Sequence, residues 1–302
     1  MQNRTTKLLL ASFATTILAL SGCSSTESTT SGPDGAGGKG TVTIGLIPSW
    51  TDTLITAYLA KDQLEKLGYA VEMEELTEAA ILYTGLAAGD IDIYPSAWPD
   101  VTHASYVEEY GDDIEDLGTF YDQAQNFLAV PSYTDVDSIE DLAADPSLFD
   151  GQIIGIEPSA GLTEQTETVA MPEYDLDEDF DLVTSSTATM LAQLEESIAN
   201  EEDIVVTLWR PYWANGSFDL KILEDPRGGM GDPETMRTYA TKGFSDEHPD
   251  AAEYFAGFEL TDDQWSSLED LVINDYEPGE EEEAIAQWID ENPDAYETLI
   301  AN

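Results

Sequence analysis

The chain has 302 residues and carries 63 aspartates and glutamates against 10 lysines and arginines, a formal net charge of −53 at neutral pH. A surface this acidic repels polyanions, which excludes nucleic-acid binding as a main role and disfavours anionic headgroups. One cysteine leaves no internal disulfide, and two histidines leave almost no material for a zinc site or a Cys–His nucleophile. The acidic residues are spread along the chain, at 72–78, 112–116, 175–181 and 280–283. That spread reads as a solvated coat suited to high external salt rather than as a field gathered around one site.

The first 23 residues read as a bacterial lipoprotein signal. Arg4 and Lys7 form a short positive region, residues 8–20 are apolar but too short to span a membrane, and Leu20-Ser21-Gly22-Cys23 places small residues ahead of the cysteine. Lipid attachment at Cys23 and an extracytoplasmic, membrane-anchored location are the expectation. Residues 24–40, rich in Ser, Thr and Gly, form a flexible tether, because such a composition buries too little apolar area to offset its ordering entropy.

Strands and helices then alternate. Residues 42–47 predict a strand, 53–67 a helix stopped by Gly68, 70–73 a strand, 79–88 a helix ended by Gly89, and 91–94 a strand. Residues 127–130, ahead of Pro131, predict a strand leaving this βαβαβ unit. A second unit follows: helix 138–144, strand 153–156, helix 162–170, strand 180–183, helix 188–199 and strand 204–208. Residues 250–258, 262–273 and 281–289 read as helices that pack back on the first unit. Two such units imply an α/β protein of two lobes with a cleft between them: lobe I from 41–130 plus 240–302, lobe II from 131–239.

Three of the six tryptophans end strand-like runs: Trp50 in TIGLIPSWTDT, Trp98 in IDIYPSAWPDVTH and Trp209 in IVVTLWRPYW. Ligands of open α/β sheets bind beyond strand carboxyl ends. Several indole faces turned to one point make a box for a cation with no N–H to donate, a quaternary ammonium. An anionic end needs donors, and Pro158-Ser159-Ala160-Gly161 opens a helix whose first amides are free of intrahelical partners. Trp265 and Trp288 fall in amphipathic helices and read as core.

In this order and at these spacings, IGLIPSW, GDIDIYPSAWPDVTH, DLG, LAVPSY, SIEDL, GIEPSAG, VTSS, IVVTLWRPYW, LEDP and KGF resemble the substrate-binding lipoproteins of ABC importers for glycine betaine and related compatible solutes. The resemblance runs from Thr41 to the C-terminus. It implies a type II, periplasmic-binding-protein-like fold with the ligand cleft between two lobes. It further implies a cation cage of Trp50, Trp98 and Trp209, a ligand carboxylate on the amides of Gly161 and Leu162, and a permease with its ATPase as partner. No metal and no cofactor are implied.

Departures from the family pattern bear on the substrate. Pro99 follows Trp98 at once, and His103, five residues after Trp98, is a candidate donor to the carboxylate or else a packing residue. Ser159 stands where glycine is common. Arg210-Pro211-Tyr212-Trp213 replaces a Thr-Pro-His-Trp run, which makes Arg210 and Tyr212 candidates for an outer layer of the site. Carnitine, choline or a sulfonium osmolyte such as dimethylsulfoniopropionate are alternatives to glycine betaine. The rival classes are an extracytoplasmic carboxylate-dependent hydrolase, since acids are everywhere, and an adhesive surface protein.

Overall fold

A computed structural model describes residues 38–293. The signal, Cys23 and the tether up to residue 37 lie outside the described residues.

Among the described residues nine strands form the frame: β1 (Thr41–Leu46), β2 (Ala70–Glu75), β3 (Ile93–Ala97), β4 (Ile114–Pro131), β5 (Gln152–Ile154), β6 (Asp181–Val183), β7 (Val206–Arg210), β8 (Leu220–Ile222) and β9 (Glu234–Thr241). Their order is β2-β1-β3-β9-β4-β7-β5-β6, with β8 beside β4. β2 and β3 flank β1 in parallel, as the helical crossovers Thr51–Leu67 and Ala79–Ala88 require. Each of those helices ends where a glycine takes the left-handed conformation, Gly68 at φ 98° and Gly89 at φ 76°. On the other side β5 pairs in parallel with β6 and β7.

β4 joins the two halves. Its 18 residues pair antiparallel with β9 as far as Ala124, then with β7 from Gln125 and with β8 from Ala129. The sequence predicted only 127–130 of this strand. Residues 114–126, IEDLGTFYDQAQN, interrupt their apolar positions with acids and amides, and the register shifts three times along β9, so no clean two-residue alternation marks them. The helix Ala104–Tyr110, β8 and β9 also went unpredicted.

The predicted helix 162–170 extends from Gly161 to Glu173 and contains a π turn at Thr166–Ala170. A second π turn, Leu271–Asp275, continues the helix Asp262–Asp270. The C-terminal helices return to the first half: Glu281–Glu291 packs on Thr51–Leu67, and Pro249–Gly257 packs on β4. Trp265 and Trp288 are fully buried there. Burying a large apolar side chain contributes about 1.5–3 kcal/mol or more, so these indoles belong to the stability of the first half. Among the described residues no helix is long and apolar enough to cross a membrane.

Candidate functional site

The ends of β1, β3 and β7 and the turn after β5 meet around one small cavity. Trp50, Trp98 and Trp209 all line it, with Asp52, Tyr94, Thr102, His103, Asn126, Ile156, Ala160, Gly161 and Leu162. The lining is mainly aromatic and aliphatic, with a few convergent polar groups, the composition expected of a small-molecule site.

Local chemistry places each tryptophan. Trp50 is the N-cap residue of the helix Thr51–Leu67, in a turn closed by its own amide on the Ile47 carbonyl at 2.9 Å. Thr53 Oγ1 staples that turn, accepting from the Ile47 amide at 3.0 Å and donating to the Ile47 carbonyl at 2.8 Å. Trp98 opens the loop after β3, where the His103 amide donates to the Trp98 carbonyl at 2.7 Å. Trp209 sits within β7, paired with Asn126 of β4, so β4 positions one cavity residue on each of two adjacent strands.

The indoles are nearly buried and two have their N–H groups tied to carboxylates. Trp50 Nε1 donates to Glu157 at 3.1 Å and lies 3.2 Å from Thr187 Oγ1. Trp98 Nε1 donates to Asp52 at 3.2 Å. Trp209 stacks on Tyr212 with ring centroids 4.0 Å apart and planes at 27°. All three rings line the cavity, and indole faces attract cations.

Asp52 is the charged group of the lining. Burial pushes its carboxyl up to about 6, against the opposing bonds from Ser96 Oγ at 2.6 Å and from Trp98. A cation held beside it would offset the desolvation of its ionised form. His103 is the opposite case. Burial pulls it down to about 3, so the ring is neutral. Its Nδ1 accepts from the Trp98 amide at 3.0 Å, which leaves the proton on Nε2 as a donor.

Gly161 has a specific steric cause. A Cβ built on it falls 1.6 Å from the Thr102 carbonyl oxygen, so only glycine permits this approach. Thr102 is fixed from behind. Its amide donates to Glu234 at 3.1 Å, its hydroxyl donates to the same carboxylate, and it accepts from Asn126 Nδ2 at 2.7 Å. Burial raises the Glu234 carboxyl, and the bonds from Thr102 and Val101 oppose that rise. Gly161 and Leu162 occupy the first turn of their helix, where amides have no intrahelical acceptor.

The other sequence candidates are placed elsewhere. Arg210 is exposed at the end of β7 and donates to the Gln125 side chain, away from the cavity. Ser159 bonds to Glu78 through its hydroxyl at 2.5 Å and does not line the cavity. Tyr212 backs Trp209, and its hydroxyl reaches the Ser49 carbonyl at 3.4 Å. Asp52, Tyr94, Thr102, Asn126 and the buried carboxylate of Glu157 were not singled out from the sequence. Asp52 had one readable signal, an acid two residues after a candidate cage tryptophan at a helix start.

Two α/β halves sharing one long strand, with an aromatic cavity where their strand ends meet, define a two-lobed solute-binding protein. A model for the substrate-binding domain of ABC-type glycine betaine transport systems matches residues 40–291, and the chain belongs to that family. The crystal structure of the glycine betaine, L-proline ABC transporter binding protein ProX from Borrelia burgdorferi is similar with a TM-score of 0.80 and 33% identity, covering 87% of this chain and 97% of that one. Lactococcal OpuAC, in its closed-liganded conformation with glycine betaine, gives a TM-score of 0.79 at 31% identity, covering 86% of this chain and 99% of that one. The glycine betaine/carnitine transport binding protein GbuC of Listeria monocytogenes is 38% identical over 144 residues. That match takes in 47% of this chain and 46% of GbuC, so it spans about half the length of that relative.

Proposed function

We propose that the protein captures glycine betaine outside the cytoplasm and delivers it to an ABC permease driven by a separate ATPase. The observation that carries this reading is that two unlike sets of residues line one small cavity: three indoles with Asp52, and the Gly161–Leu162 helix start with His103, whose Nε2 keeps its proton. The first suits a trimethylammonium group and the second a carboxylate. Carnitine, choline and sulfonium osmolytes share the cation and differ at the other end.

In this reading lobe I comprises 41–130 with 240–302 and lobe II comprises 131–239. Trp50 and Trp98 then belong to one lobe, and Trp209 and the Gly161 turn to the other, so each lobe alone binds poorly. Cys23 carries the lipid anchor that keeps the protein at the membrane surface.

Binding without chemistry is favoured over hydrolysis because Asp52 is the sole carboxylate among the residues lining the cavity, whereas carboxylate-dependent glycoside hydrolysis uses two. The test is calorimetric titration with glycine betaine, followed by recovery of the solute and its proton NMR spectrum. Saturable 1:1 binding with the solute recovered intact supports the proposal. A converted solute, or no heat and no thermal stabilisation, overturns it.

A further inference from the structure

Glu157 lies behind two residues of the cavity lining, bonded to Trp50 and closing the turn that leads to Gly161. It is buried, 5% exposed, and its backbone carbonyl closes the turn that leads to Gly161, accepting from the Ala160 amide at 3.0 Å and from Thr163 Oγ1 at 2.9 Å. Its carboxylate looks the other way. It accepts from Trp50 Nε1 at 3.1 Å, the Thr187 amide at 2.9 Å, Thr187 Oγ1 at 2.7 Å and Ser49 Oγ at 3.4 Å. Trp50 follows β1 and Glu157 follows β5, so this bond ties the two halves of the frame together at the cavity wall.

We propose that Glu157 is a positioning residue, which sets the Trp50 ring as a cation-facing wall and couples that ring to the Gly161 turn; this rests on the ligand reading above. Three physical effects act together. An indole whose N–H is held by a buried carboxylate cannot turn its face from the cavity without breaking that bond, and losing a hydrogen bond to a buried charge is costly. Negative charge at the ring edge lies where the indole quadrupole is positive, and so reinforces the negative face that meets the cation. The turn and the ring also move as one, because the same residue closes the turn and holds the ring. Glutamine in its place keeps an acceptor for Thr187 but sets an amide NH₂ against the Trp50 N–H.

The experiment is a double-mutant cycle in the full chain: wild type, E157Q, W50F and E157Q/W50F. Each is titrated calorimetrically with glycine betaine and with tetramethylammonium, and melted without ligand. Phenylalanine has no N–H, so the cycle isolates the bond from the bulk of the ring. E157Q alone is expected to weaken both solutes by roughly tenfold, the loss typical of a hydrogen bond to a charged group. In the W50F background the same change costs less than about threefold, and the melting temperatures show the same non-additivity. Equal costs in the two backgrounds overturn the proposal. If E157Q does not fold, E157D runs the same cycle with a carboxylate one methylene shorter, drawn back from the indole. If wild type binds neither solute, the ligand reading fails by itself, and the melting cycle alone decides the contact: additive losses sink it and non-additive losses sustain it.

Discussion

The amide of Trp98 donates to Nδ1 of His103 at 3.0 Å, so a cavity tryptophan sets the tautomer of the histidine five residues on. The ring presents Nε2–H and stays neutral, since burial holds its pKa at about 3. H103A removes this donor and leaves the Trp98 amide without its acceptor. Affinity for glycine betaine is expected to fall roughly tenfold, with partial rescue by H103Q, whose amide supplies both a donor and an acceptor. Equal affinities for H103A and wild type would remove His103 from the carboxylate subsite. The linkage has a defined sign. The folded pKa lies below the unfolded value of 6.5, so the contribution is complete above pH 6.5 and is lost as pH falls toward 3. The stability difference between wild type and H103Q should therefore shrink steadily on acidification across that window.

The cage prediction follows from the three indoles that line the cavity. If each supplies cation–π energy of about 1–2 kcal/mol in a desolvated box, W50A, W98A and W209A each weaken glycine betaine binding by roughly tenfold or more. Replacement by phenylalanine or tyrosine costs less. W265A and W288A, which empty core positions, lower the melting temperature without selectively removing binding. Unchanged affinity in W209A contradicts the cage.

In the proposed site, Asp52 is expected to make cation binding depend on pH. Its free carboxyl, pushed up to about 6 by burial, is half protonated near that pH, and a bound cation favours the ionised form. Binding then releases a proton below pH 6. Affinity is flat above that value and falls with acid, by at most tenfold per pH unit. Tetramethylammonium is the right ligand for this measurement, because it carries no titrating group. D52N should bind more weakly at pH 7 and flatten the profile; a wild-type affinity constant from pH 7 to 4.5 contradicts the role. For stability the sign is reversed relative to His103. The raised pKa means that Asp52 favours the fold at low pH, and that contribution is lost as pH rises from 3.8 through 6.

Gly161 tests the closeness of the two sides. Its methyl-bearing variant, G161A, drives a Cβ into the Thr102 carbonyl, a backbone group that no rotamer change can move aside. Overpacking of this kind costs about 1–3 kcal/mol, so binding is expected to weaken tenfold or more while all three tryptophans remain. A folded G161A with near-normal affinity places the carboxylate elsewhere.

Much of the first half was legible in the sequence because its signals agree. Apolar spacing marks 53–67 and 79–88 as helices, Gly68 and Gly89 stop them, and β-branched runs flank them. The three tryptophans were legible as a group because each follows a strand-like run, and the fold brings all three to one cavity. β4 was hidden by Asp116, Asp122, Gln123 and Gln125, which are tolerated because they are exposed or half-buried while Ile114, Leu117, Phe120 and Ala124 among them pack into the core. Asp52 and Glu157 were hard to read for a different reason. In a chain with 63 acidic residues, little local beyond the place of Asp52 two residues after Trp50 distinguishes the few that the fold buries against indole N–H groups. The direction of Arg210 was equally closed to sequence reading, because it depends on whether the last residue of β7 faces the cavity or Gln125.

In the proposed reading one cavity holds a quaternary ammonium at one end and a carboxylate at the other. Parallel calorimetric titration of the wild-type protein with glycine betaine and with choline tests it most directly. The two carry the same cation, and only the first has an anionic end to meet the Gly161 and Leu162 amides. Charge-assisted hydrogen bonds are roughly twice as strong as neutral ones, so glycine betaine is expected to bind at least tenfold more tightly. Equal affinities, or a preference for choline, would contradict the carboxylate subsite and assign that end of the cavity to a hydroxyl.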